Sequence, residues 1–145
     1  MPFIGFSFDK IEAERNVNEI KGDINVKHTL NIVDLKEEQI SIDKKQDVLK
    51  FMFEFLLKYE PSIGEIKLNG HLLYTDDPKK IKEIQAKWKK DKKIEPELMS
   101  SLFNMILTKS NIKSLSLSQD VNLPPHLPMP RLQPQSKTNL NEYIG

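Results

Sequence analysis

The chain contains no cysteine, and this absence excludes disulfides, thiolate nucleophiles, iron–sulfur clusters and cysteine-based zinc sites together. No stretch approaches the roughly 18 consecutive apolar residues that a membrane-spanning helix requires. The first residues, Met1 to Gly5, carry neither the basic start nor the long apolar core of a signal peptide. We therefore expect a cytoplasmic protein without a membrane span.

Common catalytic motifs are missing as well. With five glycines a phosphate-binding loop is hard to build, and there is no nucleophile elbow and no His-Glu-x-x-His motif. Of the histidines, His28 and His71 lie in strand patterns of opposite phase and His126 lies in a proline-rich segment. Nothing in the sequence predicts that they share a metal site. Capping of the following helix explains Asp76 and Asp77. We expect neither an enzyme nor a bound cofactor or metal ion.

The remaining composition is that of one globular domain. A chain of 145 residues with 38% hydrophobic and 30% charged residues can sustain a single core, and we assign residues 1–121 to it. The formal net charge of +1 argues against a role dominated by electrostatic attraction. The charge is uneven, however, because residues 79–93 contain eight lysines.

Alternating apolar residues predict an α+β fold with an antiparallel sheet of about four strands. The clearest stripe occupies every second position from 49 to 59 and consists of Leu49, Phe51, Phe53, Phe55, Leu57 and Tyr59. A period of two over this length indicates a strand, and apolar residues on its other face indicate a central one. Residues 3–13 predict a strand with a bulge near Asp9. Residues 24–42 predict one bent strand or two short ones, and residues 66–74 pair with the stripe as a hairpin through Pro61 and Gly64.

Two or three helices follow and are expected to pack on the sheet. The first begins at Pro78 and presents Ile81, Ile84 and Trp88 at helical spacing. The second begins near Pro96, with an apolar stripe that predicts an amphipathic helix and an end near residues 110–111. The stretch 112–121 fits either a further short helix or a strand.

The C-terminal part has a different composition. Residues 122–134 hold five of the nine prolines and predict an extended segment. They also hold large apolar residues, among them Leu123, Leu127 and Met129. An exposed linker does not need such residues, so we predict that the segment docks on its own domain or on a neighbouring protomer. Residues 135–145 are polar and predict a flexible tail.

The order of strands, helices and an apolar proline-rich segment resembles archaeal members of the SecB-like superfamily, or a related small archaeal family. The residues that carry the resemblance are Phe51-Met52-Phe53-Glu54-Phe55, Tyr59-Glu60-Pro61, Gly64-Glu65-Ile66, Gly70 to Tyr74, Trp88 and Leu123-Pro124-Pro125. The resemblance implies an oligomeric holdase chaperone that binds unfolded chains on apolar grooves. The bacterial family adds an acidic surface and an acidic tail, and this chain has neither.

The sequence therefore supports two alternative hypotheses about function. The first is a protein-binding module, assembled as a homo-oligomer, that binds an unfolded polypeptide or partner protein through apolar residues. The residues assigned to it are Met52, Leu56, Leu73, Leu123, Leu127 and Met129. The alternative is an RNA- or ribosome-associated protein that uses Lys87, Trp88, Lys89 and Lys90, with lysines on phosphates and the indole stacked on a base. The competing interpretation buries Trp88 against the sheet and leaves the lysines as a solvated face.

Overall fold

The computed structural model describes residues 3–41 and 45–127, and it has an α+β fold in which two helices follow a four-stranded sheet. The elements are β1 (Phe3–Arg15), β2 (Asn25–Ser41), β3 (Lys45–Glu60), β4 (Gly64–Tyr74), α1 (Pro78–Asp91) and α2 (Pro96–Asp120). The strand order is β1-β4-β3-β2 and all neighbours are antiparallel. The predicted fold class is confirmed. Met129, the rest of the proline-rich stretch and the tail 135–145 lie outside the described residues.

The predicted stripe forms the centre of the sheet. Its six residues in β3 are at most 1% exposed, because the helices cover this face. Opposite them, the even-numbered residues of β4 supply the same layer, with Phe51 beside Leu72 and Phe55 beside Leu68. We call this the helix side of the sheet. The side chains at the alternate positions form the outer face.

Register shifts bend both edge strands. β1 has two shifts, one between Phe3 and Gly5 and one between Phe8 and Lys10, and the sequence predicted a bulge at the second. β2 is one long strand with a shift between Ile32 and Asp34, which decides between the two predicted forms. The extra residue at this bulge, Val33, is 51% exposed, since a bulged residue has no cross-strand partner.

Gly70 is required by a close approach between strands. A Cβ atom at this position would meet the carbonyl oxygen of Ser7 and the ring of Phe53. Glycine therefore allows the Phe53 ring to lie flat across β4, where it stacks on Phe6 with ring centroids 5.4 Å apart.

The two helices differ in how clearly the sequence marks them. α1 begins at Pro78 and buries Ile81, Ile84 and Trp88, as predicted. α2 is one continuous helix of 25 residues, so the predicted end near residues 110–111 is wrong, and residues 112–120 are helix. The reason is that Ser110, Ser114 and Ser118 continue the buried row with small side chains. The apolar period then fades from the sequence although the helix continues.

Residues 122–127 return along the domain. The backbone N–H of Leu123 donates to the Ser118 carbonyl at 2.8 Å, and the Arg15 guanidinium donates to the Asn122 carbonyl. The Tyr59 hydroxyl donates to the Pro124 carbonyl at 2.8 Å. Leu123 is 5% exposed and belongs to the core cluster.

Candidate functional site

Helix α2 carries apolar side chains on more than its sheet-facing side. Leu98, Leu102 and Ile106 face the sheet and are buried. Away from that row lie half-buried Met99, Phe103, Met105, Leu107 and Leu115, and Ile112 is 66% exposed. A surface helix normally has one apolar stripe and a polar opposite face. These residues lie on both flanks of the buried row, and Met99, Met105 and Leu107 also pack against the core, so each flank of α2 is a candidate contact surface.

One concavity beside α2 is a groove along the edge strand β2, which we call the β2 groove. Its volume is about 420 Å³. The residues that line it are Leu30, Asn31, Ile32 and Val33 from β2, together with Trp88, Lys92, Met99 and Phe103. The Lys92 ammonium lies 5.2 Å from the Trp88 ring centroid. Six of these eight lining residues are apolar, and Asn31 and Lys92 add polar and charged surface.

The free edge of β2 adds hydrogen-bonding groups to this groove. β2 pairs with β3 on one side, and in the described part of the chain no strand pairs with its other side. An unpaired strand edge presents backbone N–H and C=O groups that can bind a further extended segment. Val33, at the bulge, stands at the same edge and is half exposed.

A second groove lies on the other side of α2, beside the edge strand β1. It measures about 520 Å³ and is lined by Phe3, Ser101, Asn104, Met105, Thr108 and Lys109. Four of these six side chains are polar or charged. The Lys109 ammonium lies 5.2 Å from the Phe6 ring centroid. This groove is larger than the β2 groove, and although fewer of its lining residues are apolar, the share of apolar surface in it is at least as large.

The predicted residues Met52, Leu56 and Leu73 lie on the outer face, and each is half-buried. Their cross-strand neighbours are polar or charged: Met52 lies beside His71, Leu56 beside Lys67 and Leu73 beside Lys50.

The polar residues of the outer face bond to one another. Glu54 accepts a hydrogen bond from the Asn69 amide at 3.4 Å, and its carboxylate lies 3.9 Å from the Lys67 ammonium. The outer face is therefore mixed, with its apolar residues separated by charged ones.

The other predicted residues divide between the core and the surface. Leu123 packs on the helix side, where its methyl groups would lie 3.2 and 3.3 Å from a Cβ atom at Gly64. Leu127 is 36% exposed, and Met129 is outside the described residues. The structure thus places Leu123 and the three outer-face residues on opposite sides of the sheet.

The tryptophan of the lysine-rich helix α1 is buried. Lys87, Lys89 and Lys90 are exposed, whereas Trp88 is 6% exposed and belongs to the core cluster. A base stacks on an aromatic ring only where the face of that ring is free. In this structure the lysines and Trp88 therefore point in different directions.

Two histidines meet at one end of the helix side. The rings of His28, in β2, and His126 lie with their centroids 5.6 Å apart. His126 is 8% exposed, and burial, together with the neighbouring His28, lowers its pKa. The sequence did not reveal this pair because the two residues are near opposite ends of the chain. His71 is elsewhere, on the outer face, with its Nδ1 atom 2.8 Å from an Asp9 carboxylate oxygen.

Among comparisons with known proteins, those with solved structures give a similarity. No family model matches the chain, and no curated protein matches it. Among solved structures, it is similar to the SecB-like chaperone of Mycobacterium tuberculosis, solved in complex with a peptide from an antitoxin. The identity is 10%, the TM-score is 0.47, and the alignment covers 92% of each chain.

Neither helix in the described residues combines the length and the hydropathy that spanning a membrane requires. Within the same ranges, no group of three or more histidine, cysteine, aspartate or glutamate side chains is placed to hold a metal ion.

Proposed function

We propose that this chain is a non-enzymatic protein-binding module, of the SecB-like holdase type, that holds an apolar segment of an unfolded polypeptide in the β2 groove. The observation that carries this proposal is the combination of an apolar groove with a free strand edge. Val33 stands at that edge, and Phe103 and Met99 line the facing wall.

The groove offers two kinds of contact to such a segment. Its backbone adds to the β2 edge through main-chain hydrogen bonds, which do not depend on sequence. Its alternate side chains enter the groove, where burial of apolar surface contributes roughly 25 cal/mol for each Å². The unbranched side chain of Met99 adapts to different shapes. Broad specificity for apolar segments follows.

A homo-oligomer is part of the proposal. β1 forms the other edge of the sheet and exposes Ile4 and Ile11 by 49% and 43%. Apolar residues on an unpaired edge favour contact with another chain. Assembly would leave the β2 groove available if it used β1. We therefore expect the solution mass, measured by light scattering, to exceed that of one 16.9 kDa chain.

Glutamate substitutions distinguish the β2 groove from the outer face. Val33→Glu and Phe103→Glu place a charge where the apolar segment binds, and desolvating an unpaired charge is costly. We expect at least about a tenfold loss of affinity, or about 1.4 kcal/mol, for a labelled, permanently unfolded polypeptide followed by fluorescence anisotropy. Met52→Glu and Leu56→Glu on the outer face are the matched controls, with affinity expected to stay close to that of the wild type.

Circular dichroism and light scattering of each variant separate loss of binding from loss of fold or assembly. If Met52→Glu and Leu56→Glu abolish binding while the two groove variants retain it, the site lies on the outer face and the groove assignment is wrong. If the wild type neither binds unfolded polypeptide nor suppresses its aggregation, the proposed function itself is wrong.

A further inference from the structure

Three parts of the chain converge around His126. The ring of His28 comes from β2, Asn111 comes from α2, and His126 comes from the segment that follows α2. The segment is held in place just before this point by the Tyr59 hydroxyl on the Pro124 carbonyl. The position of the His126 ring is therefore defined by contacts with both layers of the domain.

The hydrogen bond to Asn111 determines which nitrogen of His126 carries the proton. His126 Nε2 lies 2.9 Å from Asn111 Oδ1, and a carbonyl oxygen can only accept. Nε2 is therefore protonated, and Nδ1 carries the lone pair in the neutral ring. Burial favours this neutral form by lowering the pKa of His126.

The Nδ1 atom of His126 is buried and has no hydrogen-bond partner among residues 3–41 and 45–127. Buried polar atoms are generally satisfied, and an exception requires an explanation. A ring whose one nitrogen donates to an amide oxygen while the other offers a buried lone pair has the arrangement of a metal-binding histidine with its supporting partner.

The geometry points to a metal site: we propose that His28 and His126 together bind a divalent transition-metal ion, with Asn111 orienting the His126 ring. With metal–nitrogen bonds of about 2.0–2.1 Å, two imidazoles that share one ion have ring centres roughly 5–6 Å apart. The observed 5.6 Å lies in this range.

The ligand set indicates the kind of ion. Imidazole nitrogen suits Zn²⁺, Ni²⁺ and Cu²⁺, whereas Mg²⁺ and Ca²⁺ prefer oxygen. Two protein ligands leave the other coordination positions to water or to a group from another molecule. His28 is exposed whereas His126 is 8% exposed, so water would reach the ion from the His28 side. The site is thus open and exchangeable, unlike a closed structural zinc site.

A bound ion would connect β2 to residues 122–127. An ion that binds only the folded protein stabilises it in proportion to the logarithm of ion concentration. The ion would therefore stabilise the docking of residues 122–127 on the domain. It would not contact the β2 groove, because neither His28 nor His126 lines that groove. Failure of the metal proposal leaves the proposed function unaffected.

The test uses the full chain and the metal ion alone. Zn²⁺ is titrated into the apo protein by calorimetry, while ¹⁵N NMR of the imidazole rings reports which nitrogen becomes ligated. We expect one saturable site, with the largest shifts at His126 Nδ1 and at His28, and no response to Mg²⁺. His28→Ala removes an exposed ligand and is expected to abolish saturable binding.

Two further variants complete the experiment. Asn111→Ala removes the partner that orients the ring and is expected to weaken Zn²⁺ binding by about 10–100-fold. His71→Ala, on the outer face, is the matched control and leaves binding unchanged. The proposal is overturned if wild type shows no saturable Zn²⁺ binding, if His28→Ala binds as the wild type does, or if His71→Ala loses binding instead.

Discussion

Tyr59 connects the central strand to the segment that follows α2. It is 1% exposed, and its hydroxyl donates to the Pro124 carbonyl at 2.8 Å. Burial raises its pKa from 10.0 to about 12. Because the folded state holds this proton more tightly than the unfolded state, Tyr59 contributes stability below pH 10, and this contribution is lost as the pH rises toward 12.

The free energy of unfolding at alkaline pH tests this contact. Between pH 10 and 12, wild type is expected to lose stability more steeply than Tyr59→Phe, by about 1.4 kcal/mol for each pH unit. Urea unfolding at a series of pH values measures both curves. If the free energy of unfolding falls equally with pH in the two proteins, the Tyr59 hydroxyl has the same pKa in the folded and unfolded states. That result would contradict burial of the hydroxyl against Pro124.

At the scale of single residues, the sequence predicts local contacts better than contacts between distant parts of the chain. A glycine inside a strand pattern often marks a bulge or a close backbone approach, and at Gly70 the structure shows a close approach, with the Ser7 carbonyl beside it. The contact between His28 and His126 was not predicted, because no local pattern encodes a meeting of residues so distant in the chain. The one weak signal in the sequence is that His28 lies in the same alternating row as the apolar residues Val26 and Leu30.

At the scale of elements, regular alternation is what made the sheet predictable. β3 keeps a period of two along the whole stripe because one face of it is fully buried. α2 was harder to predict, because its buried row passes from Leu98, Leu102 and Ile106 to three serines. Small residues let a helix lie close to the sheet, and their low hydrophobicity hides the helical period. Packing, rather than composition, sets the length of this helix.

The segment 122–127 offers a matched pair of leucines. Leu123 is 5% exposed and Leu127 is 36% exposed. Leu123→Ala is expected to lower the free energy of unfolding by about 2–5 kcal/mol, since it leaves a cavity beside Gly64. Leu127→Ala is expected to change it by no more than about 0.5 kcal/mol.

Urea unfolding at neutral pH compares these two variants with wild type. Equal, small effects would mean that residues 122–127 do not pack on the domain in solution, and the proposed docking of the proline-rich segment would then be wrong. A large effect for Leu123→Ala alone supports docking of the segment on its own chain.

At the scale of the whole molecule, the two sides of the sheet differ. Antiparallel sheets commonly have one face on a core and one face in water, and the polar pairs of the outer face are consistent with the second kind. The sequence located the apolar excess at Met52 and Leu56, within the strand that it marked best. The β2 groove is lined by residues from β2, α1 and α2, so no single stretch of sequence predicts it. The assignment of binding to Met52 and Leu56 from the sequence stays a prediction, and it competes with the proposed β2 groove.

Methyl NMR of the wild-type protein tests the central claim most directly, because it compares both surfaces in one sample. Unlabelled, unfolded polypeptide is added to protein labelled at its methionine, leucine and valine methyl groups. We predict that Met99 and Val33, in the β2 groove, shift on binding, while Met52 and Leu56, on the outer face, do not. Shifts at Met52 and Leu56 with Met99 and Val33 unchanged would contradict the account.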